Sequence, residues 1–146
     1  MGDGHRADHP GFSGATRATR QQILQSHQEL HEVLAVIHRT REGAELTATL
    51  FSLLDLLQHH FDLEEAPCGL YEILRARAPI ARDVVQLLDE HRSMLDDLRL
   101  LSAQAQASPS PLIFARAQRF SDRLRDHESR EMRLLMQLLD LSLIHI

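Results

Sequence analysis

Residues 46–65 read LTATLFSLLDLLQHHFDLEE, and the spacing of their apolar side chains decides the architecture. Alternating steps of four and three residues collect Leu46, Leu50, Leu53, Leu57, His60 and Glu64 on one stripe of a helix. Four leucines make a seam suited to burial. A histidine and a glutamate then take the next two places on it, where further apolar residues are expected.

The same stepping finds three more seams. The first segment, periodic from Thr19, gives Ile23, His27, Leu30, Leu34 and Ile37, and Gly43 is read as closing it near residue 42. The third gives Val84, Leu87, His91, Met94, Leu98 and Leu101. The fourth gives Ile113, Ala117, Phe120, Leu124, His127, Glu131, Leu134 and Leu138. Breakers separate them: Pro67-Cys68-Gly69 ends the second near Glu65, a short linking turn spans Tyr71 to Ala76, and Pro79 sits at the start of the third. Ser108-Pro109-Ser110-Pro111 parts the third, ending near Ala105, from the fourth.

Four amphipathic segments with short connections pack as antiparallel neighbours, so the fold class is all-α, an up-down antiparallel four-helix bundle over residues 18–141. Residues 1–17, rich in Gly, Asp, His and Ser without apolar period, read as a disordered tail in which His5 and His9 are incidental. Residues 141–146, Leu-Ser-Leu-Ile-His-Ile, read as non-native sequence, so His145 is given no role.

Composition narrows the function. A chain of 146 residues is one domain. Its formal charge of −5, with 16 arginines dispersed among 21 acids, offers no footprint for nucleic acid. No apolar run reaches the roughly 18 residues that span a bilayer. The lone Cys68 has no internal disulfide partner and no export signal opens the chain, which fits a reducing cytoplasm. Ten histidines beside one Tyr and no Trp require an explanation.

That explanation lies in the seams. His27, His60, His91 and His127 are separated by 33, 31 and 36 residues, one leg out, a turn and one leg back, so all four return to nearly the same level of the bundle. In His60-x-x-x-Glu64 and His127-x-x-x-Glu131 the i,i+4 spacing stacks both side chains on one face, about 6 Å of rise apart. A buried polar group without a partner costs about 1–3 kcal/mol, and an unpaired carboxylate more. Six at one depth are tolerable when they share a cation, since imidazole nitrogen and carboxylate oxygen suit iron, zinc and manganese. The metal set is therefore His27, His60, Glu64, His91, His127 and Glu131. Met94 and the leucines are core. Glu90, Glu128 and Asp126 lie beside the seams and are read as solvated or as hydrogen-bond partners of the histidines. His31, one turn after His27 but off the seam, is a possible fifth imidazole. His59 and Glu65 point about 100° from their neighbours on the seam and are read as flanking.

His27, His60-Phe61-x-x-Glu64-Glu65, Glu90-His91 and His127-Glu128-x-x-Glu131 resemble, in order and spacing, the hemerythrin-like (HHE cation-binding) domain family over about residues 18–140. The resemblance implies two non-haem iron ions with an oxo or hydroxo bridge, His27 and His60 on one, His91 and His127 on the other, and Glu64 and Glu131 bridging. It implies dioxygen, nitric oxide or another small ligand as the partner at the metal. The chain departs from the oxygen carriers of that family in two places. Leu95 stands where they have a second histidine one turn after the third-helix ligand, and Glu131 follows His127 by four residues where theirs follows by five. One imidazole fewer leaves a position open or water-filled unless His31 completes it.

The expected function is a non-enzymatic diiron protein that binds or senses oxygen, nitric oxide or iron and redox state. The alternatives are a diiron oxidase or peroxidase-type enzyme, a stress-protection iron protein, a structural zinc bundle and a haem protein. The ferritin-like oxidases need Glu-x-x-His pairs, and no glutamate here is followed by a histidine three residues later. Tetrahedral zinc would use four ligands and leave two of the six idle. Seam leucines leave little room for a macrocycle.

Overall fold

A computed structural model describes residues 3–67, 69–76 and 81–144, with side chains over 21–67, 69–76 and 82–137. Four long helices and one short one account for the fold: α1 (Asp3–Arg39), α2 (Gly43–Glu65), α3 (Leu70–Arg75), α4 (Ala81–Ala107) and α5 (Pro111–Ile144). The long helices close a ring in which α1 packs on α2, α2 on α4, α4 on α5 and α5 on α1. This is the expected four-helix bundle. The six-residue α3, expected as a turn, packs against α2, α4 and α5. Among the described residues no helix is long and apolar enough to cross a membrane.

Every described seam residue is buried except Ile23 and His27, which are partly buried. Leu138 lies outside the described side chains. The apolar residues form two clusters. The larger runs from Leu30, Leu46 and Leu50 to Phe61, Met94, Leu98 and Leu124. The smaller gathers Leu70, Tyr71, Leu74, Val84, Leu87 and Leu134. The polar seam residues interrupt the apolar sequence of each long helix between these clusters. Burial of each leucine contributes about 1.5–3 kcal/mol, so the interior of the larger cluster supplies most of the drive to fold.

The helix ends follow local chemistry. α1 stops at Arg39, and Arg41 folds back to donate to the carbonyls of His38 and Thr40 at 3.2 and 3.0 Å. Gly43, expected to close the first helix, instead opens the second. A Cβ there would stand 2.8 Å from Pro109 Cβ, so glycine permits the α1–α2 turn to approach the α4–α5 turn. Ser110 caps α5, its Oγ accepting from Ile113 N at 3.4 Å, and Pro111 follows at the first helical position.

Two boundaries differ from expectation or fall outside view. Helical backbone in α1 begins at Asp3, inside the segment that composition gives as a tail. Each residue added to an existing helix gains a backbone hydrogen bond, and among the described side chains of this helix the first buried one is Ser26. Pro79 lies outside the described residues, and α4 is described from Ala81.

Candidate metal centre

All six expected residues meet in one layer across the bundle. His60, Glu64, His91, His127 and Glu131 are buried, and the side chain of His27 is 12% exposed. His60 Nε2 lies 3.2 Å from Glu64 Oε2, and His127 Nε2 lies 3.2 Å from Glu131 Oε2, so each i,i+4 pair does converge. The two pairs interlock through the third long helix of the bundle. His91 Nε2 sits 3.1 Å from Glu131 Oε2 and 3.5 Å from Glu64 Oε1. The imidazoles of His27 and His60 lie 4.7 Å apart, centre to centre, and those of His91 and His127 lie 4.9 Å apart.

Glu128 belongs inside the layer, which corrects its reading as a residue beside the seam. It is 4% exposed, with Oε2 2.9 Å from His27 Nε2 and Oε1 3.0 Å from His60 Nε2. The buried face of α5 is wide here, because Leu124, His127, Glu128 and Glu131 are all buried, and a stripe more than 100° across takes in adjacent positions. Two donor groups result. His27, His60, Glu64, Glu128 and Glu131 form one, His91, His127 and Glu131 the other, with ligand atoms of each group within 4.8 Å of one another and Glu131 common to both.

Outer partners turn the histidines inward. Nδ1 of His60 pairs with Ser26 Oγ at 2.6 Å, Nδ1 of His91 with Glu65 Oε2 at 2.7 Å, and Nδ1 of His127 with Glu90 Oε1 at 2.7 Å. A proton held at Nδ1 leaves the Nε2 lone pair to face the carboxylates, the tautomer that a metal-ligating histidine needs. Glu90 is in turn gripped by Arg130, whose Nη1 and Nη2 donate at 2.8 and 2.7 Å. Glu90 therefore has the partner role expected for it. Glu65, read as flanking, has such a role too, and Ser26 was not anticipated. Asp126 reaches the layer only through Arg130 Nε, at 3.0 Å. Phe61 stacks on His91 with centroids 3.7 Å apart and fixes that ring from the side of the larger apolar cluster. His31 is exposed and belongs to neither donor group, and His59 is likewise in neither.

Tyr71 is the second residue missed in the sequence. Its hydroxyl, carried on α3, donates to Glu131 Oε2 and lies 3.2 Å from His91 Nε2. No periodic signal could have found it, since α3 is too short to show one.

Burial and like charge set the carboxyls of the layer apart. Burial, then the charges of Glu131 and Glu128, pushes the Glu64 carboxyl well above the usual carboxylate range. Burial also raises Glu131, but the facing imidazoles of His127 and His91 together outweigh it and hold that carboxyl well below. Burial, then Glu131 and Glu64, pushes the Tyr71 phenol far upward. Among the described residues both oxygens of Glu64, Oε1 of Glu128, Oε1 of Glu131 and Nε2 of His127 have no hydrogen-bond partner. Several lie within 3.5 Å of an oppositely polar atom yet misaligned for a hydrogen bond. Inward-facing atoms of this kind fit a cation, which each can approach along its lone pair.

Fold and layer together define a helical bundle built to hold a cation among histidines and carboxylates. Residues 18–139 match the model of the hemerythrin HHE cation binding domain, and the chain belongs to that family. Neither a curated protein nor a solved structure matches the chain significantly.

Proposed function

We propose that the layer holds two non-haem iron ions and that the protein binds or senses a small ligand there, dioxygen or nitric oxide, or reports iron and redox state. The observation that carries this reading is the pair of donor groups joined by Glu131. His27, His60 and Glu128 would hold one ion and His91 and His127 the other, with Glu131, shared by the two groups, and Glu64, 3.5 Å from His91 Nε2, standing between them. Seven inward donors exceed the four of a tetrahedral zinc site, and mixed imidazole and carboxylate donors suit iron. Bound iron would supply an accessible position for a diatomic ligand and a change of oxidation state.

The chain's own residues do the rest. Glu65 and Glu90 accept from Nδ1 of His91 and His127 and hold those imidazoles in the ligating tautomer, while Ser26 pairs with Nδ1 of His60. Phe61 and the apolar clusters keep water from the layer. The accessible side is that of His27, the one histidine of the four that is partly exposed. The proposed role is non-enzymatic.

The test is metal analysis of protein produced in iron-supplemented medium, paired with absorption spectra before and after oxygen or nitric oxide. Two irons per chain, near-ultraviolet charge-transfer bands and a spectral change with either gas are expected. Zinc alone, or an intense Soret band, would overturn the reading.

A further inference from the structure

Tyr71 has the geometry of a ligand. It is the single tyrosine of the chain, it is 2% exposed, and its hydroxyl reaches into the layer from α3, outside the four long helices. The hydroxyl oxygen stands 3.2 Å from His91 Nε2. Two ligand atoms at right angles on one ion, each about 2.1 Å from it as for nitrogen and oxygen at zinc, are roughly 3.0 Å apart. The spacings of Glu131 Oε2 from His91 Nε2 and His127 Nε2, 3.1 and 3.2 Å, have the same character. Tyr71 is thus placed with respect to His91 as Glu131 is.

The group of His91, His127 and Glu131 is also the smaller of the two, three residues against five. Leu95, one turn beyond His91, is a buried part of the larger apolar cluster and offers no ligand atom, and His31 is exposed. From the opposite side of the layer, within the smaller cluster, α3 places a phenol oxygen beside that group.

We propose that Tyr71 is a ligand of the ion held by His91 and His127, coordinating through its phenol oxygen. The proposal rests on the diiron reading above. On metal uptake the oxygen–metal bond replaces the oxygen–hydrogen bond, and the phenol proton leaves to solvent with those displaced from the other ligands. Glu131, relieved of the hydroxyl that donates to it, turns that oxygen to the cation. Nothing is oxidised or reduced in this step.

Absorption and resonance Raman spectra of the full chain, loaded with iron and oxidised, test the proposal, with Tyr71→Phe measured alongside. A phenol oxygen on ferric iron produces a visible charge-transfer band, and excitation within it enhances tyrosine ring vibrations. Because the chain has one tyrosine, those vibrations identify Tyr71 without any variant. Wild-type protein is expected to show both, and Tyr71→Phe, with wild-type helix content by circular dichroism, to lose both while keeping the near-ultraviolet bands. Iron uptake without tyrosine vibrations, or a visible band that survives in Tyr71→Phe, overturns the Tyr71 assignment alone. A chain that takes up no iron overturns the diiron reading and this assignment with it.

Discussion

Glu128 Oε2 stands 2.9 Å from His27 Nε2, so the last helix of the bundle closes on the first through a carboxylate and an imidazole. Since Glu128 Oε1 also lies 3.0 Å from His60 Nε2, one side chain spans the two histidines assigned to the first ion. Glu128→Ala is therefore expected to lower bound iron from two per chain toward one, with the ion at His91 and His127 retained. Metal analysis checks this, and unchanged iron would remove Glu128 from the site.

Outer partners should matter as well. Glu90 accepts from His127 Nδ1 and is itself fixed by two hydrogen bonds from Arg130. Burial raises the Glu90 carboxyl, but the hydrogen bonds with Arg130 and His127 outweigh it and lower it. Losing such a partner typically costs 10–100-fold in metal affinity. Glu90→Gln should show a loss of about that size in competition with a chelator, at unchanged helix content. Wild-type affinity would argue that Glu90 does not orient the imidazole.

These two residues mark how far the sequence could be read. Four seams, their breakers and the convergence of His27, His60, His91 and His127 follow from period and segment length, because each side chain's face is set by helix geometry alone. The two stacked glutamates follow for the same reason. Glu128 escapes a stripe that admits one residue per turn, because α5 buries His127 and Glu128 side by side. Its sequence signal was present all the same: Glu128 follows the buried Leu124 by four residues. Tyr71 lies in a six-residue helix whose direction is set by packing against α2, α4 and α5, which no local pattern encodes. Gly43 reads equally well as a helix stop or a helix start, and only its contact with Pro109 decides between them.

Acid should act oppositely on the metal-free and metal-loaded protein. Burial and then the charges of Glu131 and Glu128 raise Glu64 above 4.5, so the folded chain keeps a proton that the unfolded chain releases. Stability from this source grows as pH falls from neutral toward 4.5. Burial lowers His127, but the neighbouring carboxylates of Glu131, Glu90 and Glu128 together outweigh that and raise it above 6.5; its contribution is present below 6.5 and lost as pH rises through the folded value. Glu131 and Glu90 are lowered, and their contribution fades only as pH falls through values below 4.5. The metal-free protein should thus melt at a higher temperature at about pH 5.5 than at about pH 7.5. Protons compete with a cation for the same ligands, so the iron-loaded protein should show the reverse. Melting curves with chelator and with iron check both, and trends of one sign would contradict the electrostatic account.

Gly69 joins α2 to α3 and sets where Tyr71 lands. A Cβ there would stand 2.6 Å from the carbonyl oxygens of Glu64 and Leu63 and 2.7 Å from that of Ala66, backbone atoms that cannot move aside singly. Gly69→Ala should destabilise the fold by about 1–3 kcal/mol, as overpacking does. Chemical denaturation measures it, and an unchanged midpoint would show that the α2–α3 connection is looser than its contacts imply.

If a cation holds this layer together, iron content in three variants beside wild type shows it most directly. His60→Ala and Glu131→Ala each remove a buried donor of the layer, whereas His38 is partly exposed, 3.8 Å from Asp122, and belongs to neither donor group. Iron well below two per chain in the first two variants, with His38→Ala equal to wild type, is the predicted result; equal iron in all three would contradict it.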